Sequence, residues 1–398
     1  MTEDLTDWVF SRYGNEQYHP GLDRINRALD SFKNTFSETK IITIAGTNGK
    51  GETTLRLSHL LQNESHCVWT SPHIERITER FRSEEGEISE EVLRLLMEKC
   101  HNEVMSSAYQ LTYYEFLFYV FISWAKERRP KYLLLEVGLG GRLDAVNALD
   151  ADLVLLPSIS RDHQEYLGNR YDLILKEKLG VLREGGTLIS FLDLKYLRER
   201  AGEYCGRVGA HFRDLALESL LPSFQFSARN QFLAYAAYSF LKEQVIKKNW
   251  KPLESALSGR GEILHLGAKW HLFGSHNVDG MRKLIQFLQS DIYNFKIPFD
   301  AIIIAFSKRD KADLTLMLKM IKASGLGKIK VTTFTHPKAA PREWIESLAR
   351  LEGLDFVEDI ESFIQGKDSG HILVAGSYYF LGHLKSRLCG RQPSAHSR

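Results

Sequence analysis

The sequence predicts a doubly wound α/β protein built as two domains. Three observations carry that expectation. Apolar runs rich in β-branched and aromatic residues alternate with segments of helical period, the pattern of strands joined by crossover helices. In the first half, glycine-rich or polar clusters follow the apolar runs, at the edge where open parallel sheets bind ligands. At 398 residues the chain is also long for a single core.

Strands are expected at Ile41–Ala45, Cys67–Thr70, Tyr132–Val137, Leu153–Pro157 and Thr187–Phe191, with helices such as Thr54–Gln62, Ser89–Met105 and Glu115–Lys126 between them. A second alternation starts near Ile263, with strands expected at Trp270–Phe273, Ala301–Ala305, Lys330–Phe334 and Ile372–Ala375. A helical stretch from Ala228 to Glu254 and then Ser258-Gly259-Arg260-Gly261 separate the two blocks. The domains are accordingly expected at 1–256 and 257–398.

Composition narrows the class. Lys and Arg total 52 against 50 Asp and Glu, a net charge of +2 that gives no electrostatic case for nucleic acid or an anionic membrane as partner. The opening Met1-Thr2-Glu3-Asp4 lacks the basic-then-apolar layout of a signal peptide. The most apolar stretch, Tyr114 to Ala125, is the length of a buried helix and short of the roughly 20 residues that span a bilayer. Four cysteines, Cys67, Cys100, Cys205 and Cys389, stand far apart in no metal-ligand spacing. A reduced cytoplasmic protein is the simplest expectation.

The chemistry concentrates after the strands. The first runs into Gly46-Thr47-Asn48-Gly49-Lys50-Gly51-Glu52-Thr53-Thr54 and then a helix. Small residues there let backbone N–H groups close around phosphate oxygens, and the helix N-terminus favours negative charge. The standard P-loop spacing is not met, because Ile44 holds the first glycine position and Gly51 follows the lysine. A plain glycine-rich turn therefore stands beside phosphate binding by Lys50 and its neighbours. Ser71-Pro72-His73, Gly138-Leu139-Gly140-Gly141-Arg142 and Asp162-His163-Gln164-Glu165 follow other strands, and their common placement predicts one site. Glu136, in a strongly apolar strand, must pair with a cation or bind a metal. Ser71, Glu136 and His163 form a set able to hold magnesium, which prefers oxygen ligands. Taken alone, His163 reads more readily as a surface loop residue than as a ligand, and Lys178 by default as a solvated helix residue.

These residues carry a family resemblance. Ala45-Gly46-Thr47-Asn48-Gly49-Lys50-Gly51, Thr70-Ser71-Pro72-His73, the run from Glu136 to Ala145, Asp162-His163-Gln164-Glu165-Tyr166-Leu167-Gly168 and Glu177-Lys178 resemble the signatures of folylpolyglutamate synthase/dihydrofolate synthase. The resemblance runs from His19-Pro20-Gly21-Leu22-Asp23-Arg24-Ile25 to Ala375-Gly376-Ser377-Tyr378-Tyr379-Phe380-Leu381-Gly382. It implies a Mur-ligase-like fold, with an N-terminal P-loop-type ATP-binding domain and a smaller Rossmann-like C-terminal domain. It implies a monomeric ligase that uses ATP and two Mg²⁺ ions. Such an enzyme would activate the carboxylate of dihydropteroate or a reduced folate as an acyl phosphate and join it to L-glutamate. Thr47, Asn48, Gly49, Lys50, Gly51, Thr53 and Asn230 would hold the nucleotide, with Arg260 and Ser377 from the second domain lining the interdomain cleft. Ser71, Glu136 and His163 would be the metal ligands. Lys50, Lys178 and His276 would serve catalysis, Lys178 as a carbamylated lysine.

The chain departs from the family pattern at several positions. Glu52 stands where relatives usually have Ser, and a carboxylate there repels triphosphate unless it faces magnesium or turns away. Leu233 and Phe273 stand where relatives place Asn and Asp against the nucleoside, which predicts weaker ATP binding and looser base choice. Ser258 replaces a frequent Pro. Two rivals follow: a ligase acting on another carboxylate, and an ATP-binding relative without catalysis. A cell-wall Mur ligase is disfavoured, since only 45 residues precede Gly46 and such enzymes carry an extra domain there.

Overall fold

Five β-branched or leucine-rich runs of the first half form the centre of one sheet, because a parallel strand buried on both faces must be apolar throughout. The computed structural model describes residues 3–390 apart from positions 18, 33, 108, 219–220, 247–249, 253–256, 291–297, 366 and 368. It divides into two compact units, Met1–Leu253 and Glu254–Arg398. The boundary expected at 256 falls within 253–256, outside the described residues.

The strands of the first unit are β1 (Lys40–Ile44), β2 (His66–Trp69), β3 (Phe81–Ser83), β4 (Gly86–Glu87), β5 (Tyr132–Glu136), β6 (Leu153–Leu156), β7 (Thr187–Ser190) and β8 (His211–Asp214). They lie in the order β4-β3-β2-β5-β1-β6-β7-β8. All neighbours from β2 to β8 are parallel, and β3 and β4 turn back as an antiparallel edge. Side chains of β1 alternate between two cores. Ile41 packs with Trp69, Leu133 and Leu135 under the helix Tyr113–Arg128. Ile42 and Ile44 pack with Leu57 and Leu233 of the helices Lys50–Leu60 and Phe226–Leu241. The helix Tyr113–Arg128 is buried nearly all round, as its unbroken apolar sequence requires. No helix among the described residues is long and apolar enough to cross a membrane.

The second unit contains β9 (Arg260–Leu266), β10 (Ala268–Phe273), β11 (Phe299–Ile304), β12 (Gly327–Val331), β13 (Asp355–Phe356) and β14 (His371–Ala375), ordered β13-β12-β11-β14-β10-β9. Only β9 runs antiparallel to its neighbour. Its central strands pack against the helix Tyr378–Leu388 through Phe380, Leu381 and Leu384.

The structure corrects the expected helix over 228–254, which spans Phe226–Leu241 instead. Past Leu241 the chain turns, and Glu243 has a φ of +52°, a left-handed backbone that cannot continue a right-handed helix. The strand expected at Lys330–Phe334 lies three residues earlier, over Gly327–Val331. The edge strands β4, β8, β9 and β13, and the three-residue β3 beside β4, were not expected, because they are polar or short.

Candidate active site

The register brings the ligand edge together. Ile44, the last residue of β1, pairs with Glu136 on one side and Leu155 on the other, and Trp69 of β2 pairs with Leu135. Segments leaving β2, β5, β1 and β6 therefore emerge side by side. The four clusters that follow these strands therefore lie along one edge of the sheet.

The glycine-rich loop is stitched to the segment after β6. Thr47 N donates to the Ser158 carbonyl at 3.0 Å, and Thr47 Oγ donates to the Ser160 carbonyl at 3.0 Å. Asn48 N donates to Ser158 Oγ at 2.9 Å, and Asn48 Nδ2 to Ser160 Oγ at 3.2 Å. Gly49 caps the helix Lys50–Leu60 with a φ of +90°, and a Cβ there would lie 2.4 Å from Asn230 Oδ1. Both the backbone and the close approach demand glycine. Lys50 Nζ donates to the carbonyls of Gly46 and Thr47 at 3.1 and 3.2 Å, which holds its charge over the loop.

Beside the loop lies the carboxylate group. Glu136 is 3% exposed and accepts a hydrogen bond from Ser71 N at 3.0 Å. Ser71 Oγ is buried and makes no hydrogen bond of normal geometry, with the Tyr114 hydroxyl as a neighbour. Asp144 holds the following loop: Gly138 N and Leu139 N donate to it at 3.0 and 2.9 Å, and the Tyr114 hydroxyl donates at 3.2 Å. Burial pushes the Asp144 carboxyl up to about 6 against the pull of those donors. Asp144 and Tyr114 were not singled out in the sequence. The signal for Asp144 was its place in a glycine-rich loop, where a short carboxylate captures free N–H groups.

Lys178 is 4% exposed. Burial, and then the charge of Lys50, draw its amine down to about 7, against the opposing charges of Asp162 and Asp144. Lys178 is therefore a buried residue within reach of the Lys50 charge and not a solvated helix residue. Gly141 lets the loop reach it, since a Cβ there would lie 3.1 Å from Lys178 Cα. His163 stands on the same edge with a φ of +50°, its side chain 44% exposed and Nδ1 4.0 Å from a Glu165 oxygen. Among the described residues no group of three or more His, Cys, Asp or Glu is gathered to hold a metal. Ser71 and Glu136 are the fitting pair: a buried unbonded hydroxyl beside a buried carboxylate suits a hard cation that takes its remaining oxygens from water and phosphate.

Glu52 and Leu233 are explained by packing. Glu52 is 3% exposed and turned into the protein, accepting hydrogen bonds from Asn230 Nδ2 at 2.8 Å and from Ser227 Oγ. Thr53 is fully buried and its Oγ has no hydrogen-bond partner. Leu233 has no exposed surface and sits in the core below β1, so stacking on a purine is not open to it. Phe273, at the end of β10, is likewise buried and packs near Phe287.

In the second unit, Arg260, His276 and Ser377 gather at the carboxyl ends of β10 and β14. The Arg260 guanidinium lies 5.2 Å from the Tyr378 ring centroid, and the His276 ring lies 5.3 Å from the same ring. His276 Nδ1 donates to the Gly274 carbonyl at 2.9 Å. Ser377 caps the helix Tyr378–Leu388 and lies 2.8 Å, Oγ to Oγ, from Ser307. Tyr378 and Ser307 were also missed, and neither has a sequence signal beyond its position after a strand.

No protein-family model matches the chain. Among curated proteins it is 25% identical to the dihydrofolate synthase/folylpolyglutamate synthase of Bacillus subtilis, over 97% of this chain and 99% of that one. It is 38% identical to the protein of that name from Buchnera aphidicola of Acyrthosiphon pisum, over 57% and 60% of the two chains. The crystal structure of the bifunctional Yersinia pestis enzyme superposes with a TM-score of 0.79 at 23% identity, covering 98% of this chain and 99% of that one. Another such structure is described with Mn, AMPPNP and L-glutamate bound, and superposes with the same TM-score of 0.79. A Mycobacterium tuberculosis folylpolyglutamate synthase complexed with ADP gives 0.81 at 19% identity, covering 98% of each chain. With its glycine-rich loop, buried carboxylate and buried lysine on one sheet edge, the chain is similar from end to end, in sequence and in fold, to dihydrofolate synthase/folylpolyglutamate synthases.

Proposed function

We propose that the protein is an ATP-dependent ligase that forms an amide bond between the carboxylate of dihydropteroate or a reduced folate and L-glutamate. The observation that carries this reading is the assembly of Lys50, Ser71, Glu136 and Lys178 at the carboxyl ends of adjacent parallel strands. A carboxylate oxygen attacks the γ-phosphorus of ATP, the bond to the β–γ bridging oxygen breaks, and ADP leaves. The glutamate amine then attacks the acyl carbon, phosphate leaves with the former carboxylate oxygen, and the nitrogen loses a proton. The N–H groups of the Asn48–Gly51 loop and Lys50 stabilise the charge on the transferred phosphoryl group. Ser71 and Glu136 would hold a divalent cation, with His163 as the third residue assigned by resemblance. When bound, the cation supplies further charge stabilisation to phosphate oxygens.

Lys178 is suited to carbamylation, because an amine drawn down to about 7 is partly neutral at physiological pH. Its nitrogen adds to carbon dioxide and releases a proton, turning a cation into an oxygen donor. In the second unit we assign Arg260 and Ser377 to nucleotide binding and His276 to catalysis. The hydrogen bond from Nδ1–H to the Gly274 carbonyl fixes the His276 ring, which supports that role. The four cysteines are free and the charge is nearly balanced, which supports a cytoplasmic enzyme of small substrates. Phosphate release from ATP tests the activity: it should require both L-glutamate and a pteroate or folate acceptor. Release that ignores both substrates would remove the proposal.

A further inference from the structure

Glu52 is an unusual residue to find in the first turn after a phosphate-binding lysine, because its charge opposes that of the ligand the loop is built to hold. The structure shows what this chain does with it. The side chain is turned off the loop and buried between two helices, Lys50–Leu60 and Phe226–Leu241. Asn230 Nδ2 donates to one oxygen at 2.8 Å, Ser227 Oγ donates to the other, and Gln231 Nε2 donates to Ser227 Oγ at 3.3 Å. Arg56, one turn along the same helix and also buried, supplies the opposing charge. The other end of the Asn230 carboxamide lies against Gly49, where no side chain would fit. One carboxylate thus connects the turn of the phosphate loop, through Asn230, to the neighbouring helix on the same face of the sheet.

We propose that Glu52 is a positioning residue for ATP: by anchoring Asn230 and Ser227 it fixes the Gly49 turn and Lys50 in the arrangement that receives phosphate. The inference rests on the phosphate-loop reading above and goes beyond it, since it assigns the second-layer contact that holds the loop. A buried carboxylate with matched donors is rigid, and loss of hydrogen bonds to a charged group is costly. The helix Lys50–Leu60 is free to shift once the contact is gone, and the loop N–H groups shift with it.

The test uses the full chain and direct titration with Mg·ATP, alongside steady-state phosphate release. Glu52→Ala should weaken ATP binding and raise KM for ATP about tenfold, as loss of hydrogen bonds to a buried charge predicts. KM for glutamate and for the folate acceptor should stay within about twofold, because the loop is assigned to the phosphates alone. Glu52→Gln keeps the shape and an acceptor for Asn230, and should recover ATP affinity to within about threefold of wild type. A double-mutant cycle of Glu52→Ala with Asn230→Ala should show non-additive losses in ATP affinity. A purely structural residue would lower the melting temperature and the active fraction while leaving KM for ATP of the folded enzyme unchanged, and that result overturns the proposal. If Glu52→Ala does not fold, Ser227→Ala, which removes the other donor to Glu52, decides on the same terms: an unchanged KM for ATP overturns it. A wild-type protein that does not bind Mg·ATP removes the phosphate loop itself, an outcome distinct from equal binding by wild type and variant.

Discussion

Lys50, Glu136 and Lys178 are each placed in a setting that dictates how they respond to substitution. Lys50 is held over the phosphate loop by two carbonyls, so Lys50→Ala should cut ATP-dependent turnover by roughly a hundred- to a thousandfold with little change in melting temperature. Unchanged turnover in the folded variant contradicts the loop assignment. Glu136→Gln keeps the size of the side chain but weakens an oxygen ligand. Activity should drop by about a hundredfold or more, and raising the metal concentration should recover part of it. A change in melting temperature without that loss would make Glu136 a structural carboxylate. Lys178 was hard to read as one residue, since Glu177-Lys178 looks like an exposed helix end. The signal lay in periodicity: Ile174, Leu175, Lys178 and Leu179 are the buried positions of its helix, so the lysine occupies an apolar stripe. Its amine titrates near 10.5 when unfolded and about 7 when folded. Between those values the unfolded chain binds a proton that the folded chain lacks, so stability contributed by this site rises with pH from about 7 to about 10.5. In carbon-dioxide-free buffer, Lys178→Met should flatten the rise in melting temperature over that window. An identical pH profile in the variant would mean that Lys178 is solvated.

The central parallel strands were legible because burial on both faces leaves no choice of residue, and β1, β5 and β6 fall within one residue of the expected bounds. Edge strands such as β8 and β13 were not, because half their side chains face water and mimic loops. The helix Phe226–Leu241 was read too long, and its meaning changed with the structure. Leu233 belongs to the core beneath β1, so Leu233→Asn should destabilise the first unit by roughly 3–5 kcal/mol, through the lost packing and the buried amide. Denaturant unfolding measures it. A stable variant with improved ATP affinity would instead return Leu233 to the nucleotide. In the second sheet, His271 on β10 and His371 on β14 share a hydrogen bond of 2.9 Å, with Phe299 packed edge-on against His271. Burial, then the charges of His371, Lys269 and His265, depress His271 to about 4. The sign is that of a group whose folded pKa is lowered: stability is present above about 6.5 and is lost as pH falls towards about 4. His271→Leu should remove that share of the acid sensitivity. A melting-temperature profile as steep as wild type between those limits would assign the loss to carboxylates alone.

At the scale of the whole molecule, the order of elements and the glycine-rich signatures were enough to name both α/β units and the fold. Contacts between distant segments were not legible. Nothing in the sequence links Glu52 to Asn230 or Tyr114 to Asp144, since each pair joins side chains brought near only by the folded sheet. The central claim is that the carboxylate is activated by phosphoryl transfer before the amine attacks. The most direct measurement uses an acceptor with both oxygens of its reacting carboxylate replaced by the heavy isotope, supplied with ATP and L-glutamate, and mass analysis of the phosphate released. An acyl phosphate requires that each phosphate carry one labelled oxygen and that the amide product keep the other. Unlabelled phosphate, formed while the amide still accumulates, would contradict it.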